Sequence, residues 1–183
     1  MGLWGHVKAF ILLPLMVTLI IPTSILLVTG EFHLGWFLLY PFNIFPIVGG
    51  CSFIGLGLFV LGKTIHLFAK IGKGTLAPWE PPKKLVVRGV YRHVRNPMIW
   101  GVLIILLGES VLFGSILLFL WFILFWVGNH LYFIKFEEPA LVRKFGKDYI
   151  LYMKHVPRWI PRLKPWAGLP FEKSDMEKNN VQE

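Results

Sequence analysis

Along this chain the apolar and polar positions fall into long blocks instead of alternating. No Lys or Arg occurs between Lys8 and Lys63, and none between Arg95 and Lys135. A helix needs about 20 apolar residues to cross a hydrocarbon core, so each basic-free stretch has room for a hairpin of two crossings. The pattern predicts four helices: roughly Val7 to Thr29, Ile44 to Phe68, Pro97 to about Phe113, and Ser115 to Phe136. Pro14 and Pro22 predict kinks in the first. The third is short, and a tight turn near Gly114 joins it to the fourth.

The intervening segments predict where the ends lie. Residues 72–96 are rich in Gly, Pro and basic side chains, yet Leu85-Val86-Val87 is too apolar for a simple linker. This segment is expected to lie against the cytoplasmic membrane face. After Phe136, the residues Glu137, Leu141, Phe145, Tyr149 and Tyr152 recur at spacings of four and three, with Arg143, Lys144 and Lys147 elsewhere around the helix. That is the signature of an amphipathic surface helix. From Phe171 onward the chain is polar and weakly patterned, as a disordered tail would be. The expected fold class is all-α, a polytopic membrane protein of about four transmembrane helices. Its expected divisions are an N-terminal transmembrane hairpin (1–70), a core of cytoplasmic loop, hairpin and amphipathic helix (71–165), and a polar tail (166–183).

Composition supports a lipid solvent: 55% of residues are hydrophobic and the mean hydropathy is +0.62, beyond the range of ordinary soluble domains. The net charge of +9 invites a nucleic-acid reading, but the basic residues sit in blocks at helix ends and not along one groove. By the positive-inside rule they place the Lys63–Arg95 loop, the segment after Lys135 and the N-terminus in the cytoplasm. The loop from Gly30 to Asn43 carries only Glu31 as a charge and holds Trp36 and Tyr40, which suit an aromatic belt on the far side. Cys51, the single cysteine, excludes an internal disulfide. It lies in a run of small residues (Gly49, Gly50, Ser52, Gly55, Gly57) that predicts close helix packing.

The chemistry on offer is narrow. No phosphate-binding Gly loop follows a strand, the six histidines lack metal-ligand spacing, and neither Asp148 nor Asp175 neighbours a nucleophile elbow. What remains is the junction from Val90 to Gly101 and the pair Glu137-Glu138, which a helical hairpin returns to the same membrane surface. Asn96-Pro97 is a helix start, Asn as N-cap and Pro at the first position. With Arg92 and Arg95 beside it, that start suits an anion such as a carboxylate. Pairing with lipid phosphates is the plainer account of the arginines. Glu137 and Glu138 stand where a helix leaves the bilayer, and Pro139 removes the bond to the Lys135 carbonyl, so a kink is expected there. An acid here can take an ammonium or ribose hydroxyls; pairing with Lys135 or Arg143 is its simpler role.

These residues carry a family resemblance. Leu85-Val86-Val87-Arg88-Gly89-Val90-Tyr91-Arg92-His93-Val94-Arg95-Asn96-Pro97-Met98-Ile99-Trp100-Gly101 is followed by Glu137-Glu138-Pro139-Ala140-Leu141. Phe145-Gly146, Tyr149, Tyr152 and Val156-Pro157 come next. From about Lys83 to Pro161 the chain resembles the isoprenylcysteine carboxyl methyltransferase family, which is related to phospholipid methyltransferases. The resemblance implies an S-adenosylmethionine cofactor held by Lys83, Lys84, Leu85, Val86, Tyr91, Asn96, Pro97, Met98, Ile99 and Glu137, and no metal. It also implies a lipophilic or prenylated acceptor taken from among membrane lipids, methylated at the cytoplasmic interface. Asn96 stands where the family has His, Ile99 where it has Tyr, and Phe133 where it has a substrate-binding Arg. Alternative readings are a phospholipid amine N-methyltransferase, a NADPH-dependent membrane reductase, or a non-catalytic membrane protein on the same scaffold.

Overall fold

The computed structural model of the chain describes residues 14–36, 38–71 and 85–167. The described residues are helical with no strand. Helix α1 (Met16–Thr29) begins with a π-helical turn, Met16–Ile20, and ends at Gly30, whose φ of 72° provides the left-handed cap. The expected start of this helix near Val7, like Lys83, Lys84 and the tail from residue 168, lies outside the described residues.

Helix α2 (Ile44–Ile71) and helix α3 (Pro97–Phe113) form the central antiparallel pair. Their contact follows from glycine placement. Gly50 and Gly57 on α2 are seven residues apart and share a face, opposite Gly108 and Gly101 on α3. A Cβ at Gly57 would lie 2.7 Å from the Gly101 carbonyl oxygen, and one at Gly50 would lie 2.8 Å from that of Gly108. Only hydrogen fits at those points, so the two backbones meet without intervening side chains. Of the small-residue run anticipated for this role, Gly50 and Gly57 perform it. Gly55 meets nothing within 4 Å and Cys51 is exposed, so the expected packing role of the cysteine is not observed.

Gly114, with φ 63°, turns the chain between α3 and helix α4 (Ile116–Tyr132). The Trp36 ring lies against Gly114, and its indole N–H donates to the Val111 carbonyl. Ser115 caps α4 by accepting from the Leu118 amide at 3.4 Å, while its hydroxyl donates to Glu31. Glu31, the single charge of its loop, therefore has a partner across the turn. The Trp121 indole donates to the Val17 carbonyl at 3.2 Å, tying α4 to α1.

Two helical stretches, Ile44–Leu67 and Ile116–Phe145, are long and apolar enough to cross a membrane; Met16–Thr29 and Pro97–Phe113 are shorter apolar helices. Large apolar side chains point outward on both long stretches, among them Phe45, Leu58 and Phe59 on α2 and Leu120, Leu124 and Leu131 on α4. A surface this apolar is a lipid-facing one. Membrane association follows from it.

The expected kink at Pro139 takes a definite form. Phe133–Glu137 is a π-helical turn in which the Glu138 amide donates to the Phe133 carbonyl, five residues back. The extra residue realigns the ladder before proline removes a donor. Helix α5 (Glu138–Phe145) then ends at Gly146, φ 56°, and helix α6 (Lys147–His155) continues in a new direction. The single amphipathic helix expected here is thus two. Its apolar face is as expected: Leu141, Phe145, Tyr149 and Tyr152 close around Val87 and Val156. That explains why Leu85-Val86-Val87 is apolar. Val86 and Val87 are buried beneath the surface helices.

Candidate functional site

The site forms where the 3-10 turn Gly89–Arg92 and the start of α3 meet the end of α4. Arg95 Nη1 donates to Glu138 Oε1 at 2.8 Å, joining residues 43 positions apart. Arg158 completes a fork on the same carboxylate, Nε to Oε1 at 2.8 Å and Nη2 to Oε2 at 2.7 Å. All three side chains are no more than 16% exposed. A charge so far from water is stable only when paired, and Glu138 is paired twice. Hydrogen bonding to Glu138 also pushes the Arg158 pKa up, against a smaller opposing effect of burial.

Sequence reasoning assigned these charges differently. Arg95 was expected to bind an anion and the acids to pair with Lys135 or Arg143; Arg95 instead neutralises Glu138, together with Arg158. Arg92 is likewise engaged, its Nε donating to the Trp166 carbonyl. The C-terminal segment explains the difference. Residues 157–166 run beside the junction and exchange backbone hydrogen bonds with it: Arg95 N to Pro157 O at 3.0 Å, Arg162 N to His93 O at 2.9 Å, and Trp166 N to Arg92 O at 3.0 Å. Arg158, Arg162 and Trp166 escape the sequence because the signature residues end at Pro157 and nothing in their spacing marks them as partners of Glu138 or of residues 92–95.

The residues anticipated for the cofactor differ in burial. Pro97 and Val86 are buried; Leu85, Tyr91, Asn96, Met98, Ile99 and Glu137 are half-buried. Asn96 is at the N-cap position, with φ −120°, but its side chain makes no capping hydrogen bond. Pro97 follows at the first helical position, and the Trp100 amide donates to the Asn96 carbonyl at 3.0 Å. The Trp100 amide is thus part of the helix ladder. The anion-accepting character of the helix start falls to the residues before it. Tyr152 donates its hydroxyl to the Tyr91 carbonyl at 2.7 Å, fixing the 3-10 turn on α6.

Tyr91 itself lies close enough to Glu137 to feel its charge. Burial, reinforced by Glu137, pushes the Tyr91 phenol well above its ordinary value. Tyr149 and Tyr152 are pushed up as well, in both cases chiefly by burial. The three phenols are therefore neutral donors at any physiological pH. Glu137 differs from its neighbour: among the described residues it has no ion pair, while Glu138 has two. Glu137 is a half-buried carboxylate with no ion pair among the described residues, and the Arg95–Glu138 contact ties the residue after it to the residue before Asn96, whose side chain makes no capping hydrogen bond; an acid and a helix start are the donor types that the amino-acid end of S-adenosylmethionine requires. Glu137 suits the ammonium, and the Asn96 side chain with the first amides of α3 suits the carboxylate. The residues present fit that cofactor.

At the position of the missing substrate-binding Arg, Phe133 is buried with its ring centroid 5.7 Å from that of Trp159. Trp159 also donates to His130 Nδ1 at 2.9 Å, and Trp126 stands 6.3 Å from it. The packing at this level is aromatic, and no cation stands at residue 133.

An apolar helical bundle with two short, more polar helices at one end, Glu138–Phe145 and Lys147–His155, is compatible with a membrane methyltransferase. Residues 46–148 match the phospholipid methyltransferase family, PEMT, more than half of the chain, and the chain belongs to this family. No curated protein and no solved structure matches it.

Proposed function

We propose that the protein transfers a methyl group from S-adenosylmethionine to the amine of a membrane phospholipid at the cytoplasmic face. The observation that carries this reading is the Arg95–Glu138–Arg158 clamp. The clamp ties the residue before Asn96 to the residue after Glu137, which supports assigning both to one zwitterion site.

In this reading α1 to α4 cross the bilayer with both termini in the cytoplasm. The cofactor supplies an activated methyl group on a sulfonium; the protein supplies position and a dry environment. Glu137 holds the donor's ammonium and the start of α3 its carboxylate. Leu85, Val86, Met98 and Ile99 offer apolar contact. Tyr91, neutral and fixed by Tyr152, gives a hydroxyl without adding charge. An acceptor amine attacks only as the neutral base, and an apolar surrounding favours that form over the ammonium. Alignment and exclusion of water then carry the rate without a dedicated acid or base.

The aromatic packing at Phe133 supports an amine over a carboxylate as acceptor, because an anionic acceptor buried there would lack a cationic partner. The motif block through Phe145-Gly146 and Tyr149 keeps carboxyl O-methylation as the second reading. Membranes containing the protein, incubated with methyl-labelled S-adenosylmethionine, separate the two. Label in alkali-stable phospholipid headgroups is expected; label released by mild alkali as methanol marks a methyl ester and overturns the amine assignment. A reductase or a non-catalytic scaffold would transfer no label at all.

A further inference from the structure

A cavity of about 430 Å³ opens at the 3-10 turn, lined by Phe59, Lys63, Gly89, Val90, Arg92, His93 and Pro165. It differs from the methyl-donor site in both walls and charge. Gly89 in its lining has φ +54°, and a Cβ there would come within 3.1 Å of Leu67 Cδ2 on α2. Lys63 is exposed on α2 and reaches over the Phe59 ring, Nζ 5.5 Å from its centroid. Arg92 is held in orientation by the bond from its Nε to the Trp166 carbonyl, which leaves both terminal nitrogens as donors. Among the described residues no carboxylate lines this cavity.

We infer that this cavity binds the phosphate group of a membrane phospholipid. Depth argues for a lipid over a soluble phosphate. Lys63 stands four residues before the end of the apolar stretch Ile44–Leu67, about 6 Å along the helix axis at 1.5 Å per residue. That is the level at which a bilayer gives way to headgroups. Phe59 lies one turn deeper and is 61% exposed, so an acyl chain passes over it while the phosphate meets Lys63 and Arg92. A fork of guanidinium donors beside an ammonium is suited to a phosphodiester. The inference rests on the membrane placement in the proposed function and is independent of its methyl-transfer chemistry.

The test uses the full chain in maltoside micelles and follows binding of phosphatidylglycerol, of diacylglycerol with the same acyl chains, and of inorganic phosphate. The expected result is saturable binding of phosphatidylglycerol, weak binding of the other two, and a loss of about fivefold in Lys63→Gln, the value of one interfacial cation. Lys63→Glu, also on an exposed position, should lose more. Equal phosphatidylglycerol affinity in wild type and both variants, or diacylglycerol binding as tight as phosphatidylglycerol, overturns the inference. So does inorganic phosphate binding as tightly as the lipid. S-adenosylmethionine binding, measured on the same preparations, reports separately on the methyl-donor site and should be unchanged by Lys63→Gln.

Discussion

Arg95 and Glu138 meet at 2.8 Å, and that contact holds the segment before α3 against the start of α5. Arg158 holds the opposite edge of the same carboxylate. Removing the acid leaves two guanidinium groups facing each other with little water. Glu138→Gln is expected to cost about 3 kcal/mol and to lower Tm in detergent, whereas Arg143→Gln and Lys135→Gln should leave it unchanged. Thermal unfolding of the three variants checks this.

Tyr152 fixes the 3-10 turn through one hydrogen bond to the Tyr91 carbonyl. In Tyr152→Phe the ring packing survives and that bond is lost, a cost of about 1 kcal/mol. Because the bond positions Tyr91 without touching the transferred group, KM for S-adenosylmethionine should rise severalfold with kcat little changed. A fall in kcat at constant KM would show that Tyr152 acts elsewhere.

The glycine seam gives a matched pair of variants. Gly57→Ala places a methyl group 2.7 Å from the Gly101 carbonyl oxygen, while Gly55→Ala on the same helix meets nothing within 4 Å. Overpacking should make the first about 1–3 kcal/mol less stable; the second should match wild type. Equal stability would mean that α2 and α3 do not touch at these points.

Three phenols set an alkaline limit. Burial raises the pKa of Tyr91, Tyr149 and Tyr152 above that of an exposed tyrosine, about 10 in the unfolded chain. Above that pH the unfolded chain loses these protons while the folded one keeps them, so stability falls as pH rises. Below it the phenols contribute no pH dependence. Tm should therefore hold steady with respect to these groups from pH 7 to 9 and decline above about 10, and the decline should be shallower in Tyr149→Phe.

Much of this arrangement is legible in the sequence, and the boundary has physical causes. The third helix, Pro97 to Phe113, is readable to the residue because Asn96-Pro97 and Gly114 mark both ends chemically. The apolar face from Leu141 to Tyr152 is readable from its spacing, but the break at Gly146 is not, since the same spacing continues through it. At the site, the motif locates Tyr91, Asn96 and Glu137. Charge pairing escapes it: Arg95, Glu138 and Arg158 are far apart in sequence, and local spacing points instead to Lys135 and Arg143. The division of labour between adjacent acids, Glu138 structural and Glu137 open, is a property of the tertiary contact alone.

The central claim is that Glu137 and the helix start at Asn96 grip one zwitterionic methyl donor. Equilibrium binding of S-adenosylmethionine to the detergent-purified full chain and to Glu137→Ala tests it most directly. The account predicts saturable binding by the native chain, weakened at least tenfold in the variant while Tm is retained. Equal affinity in both proteins would contradict it.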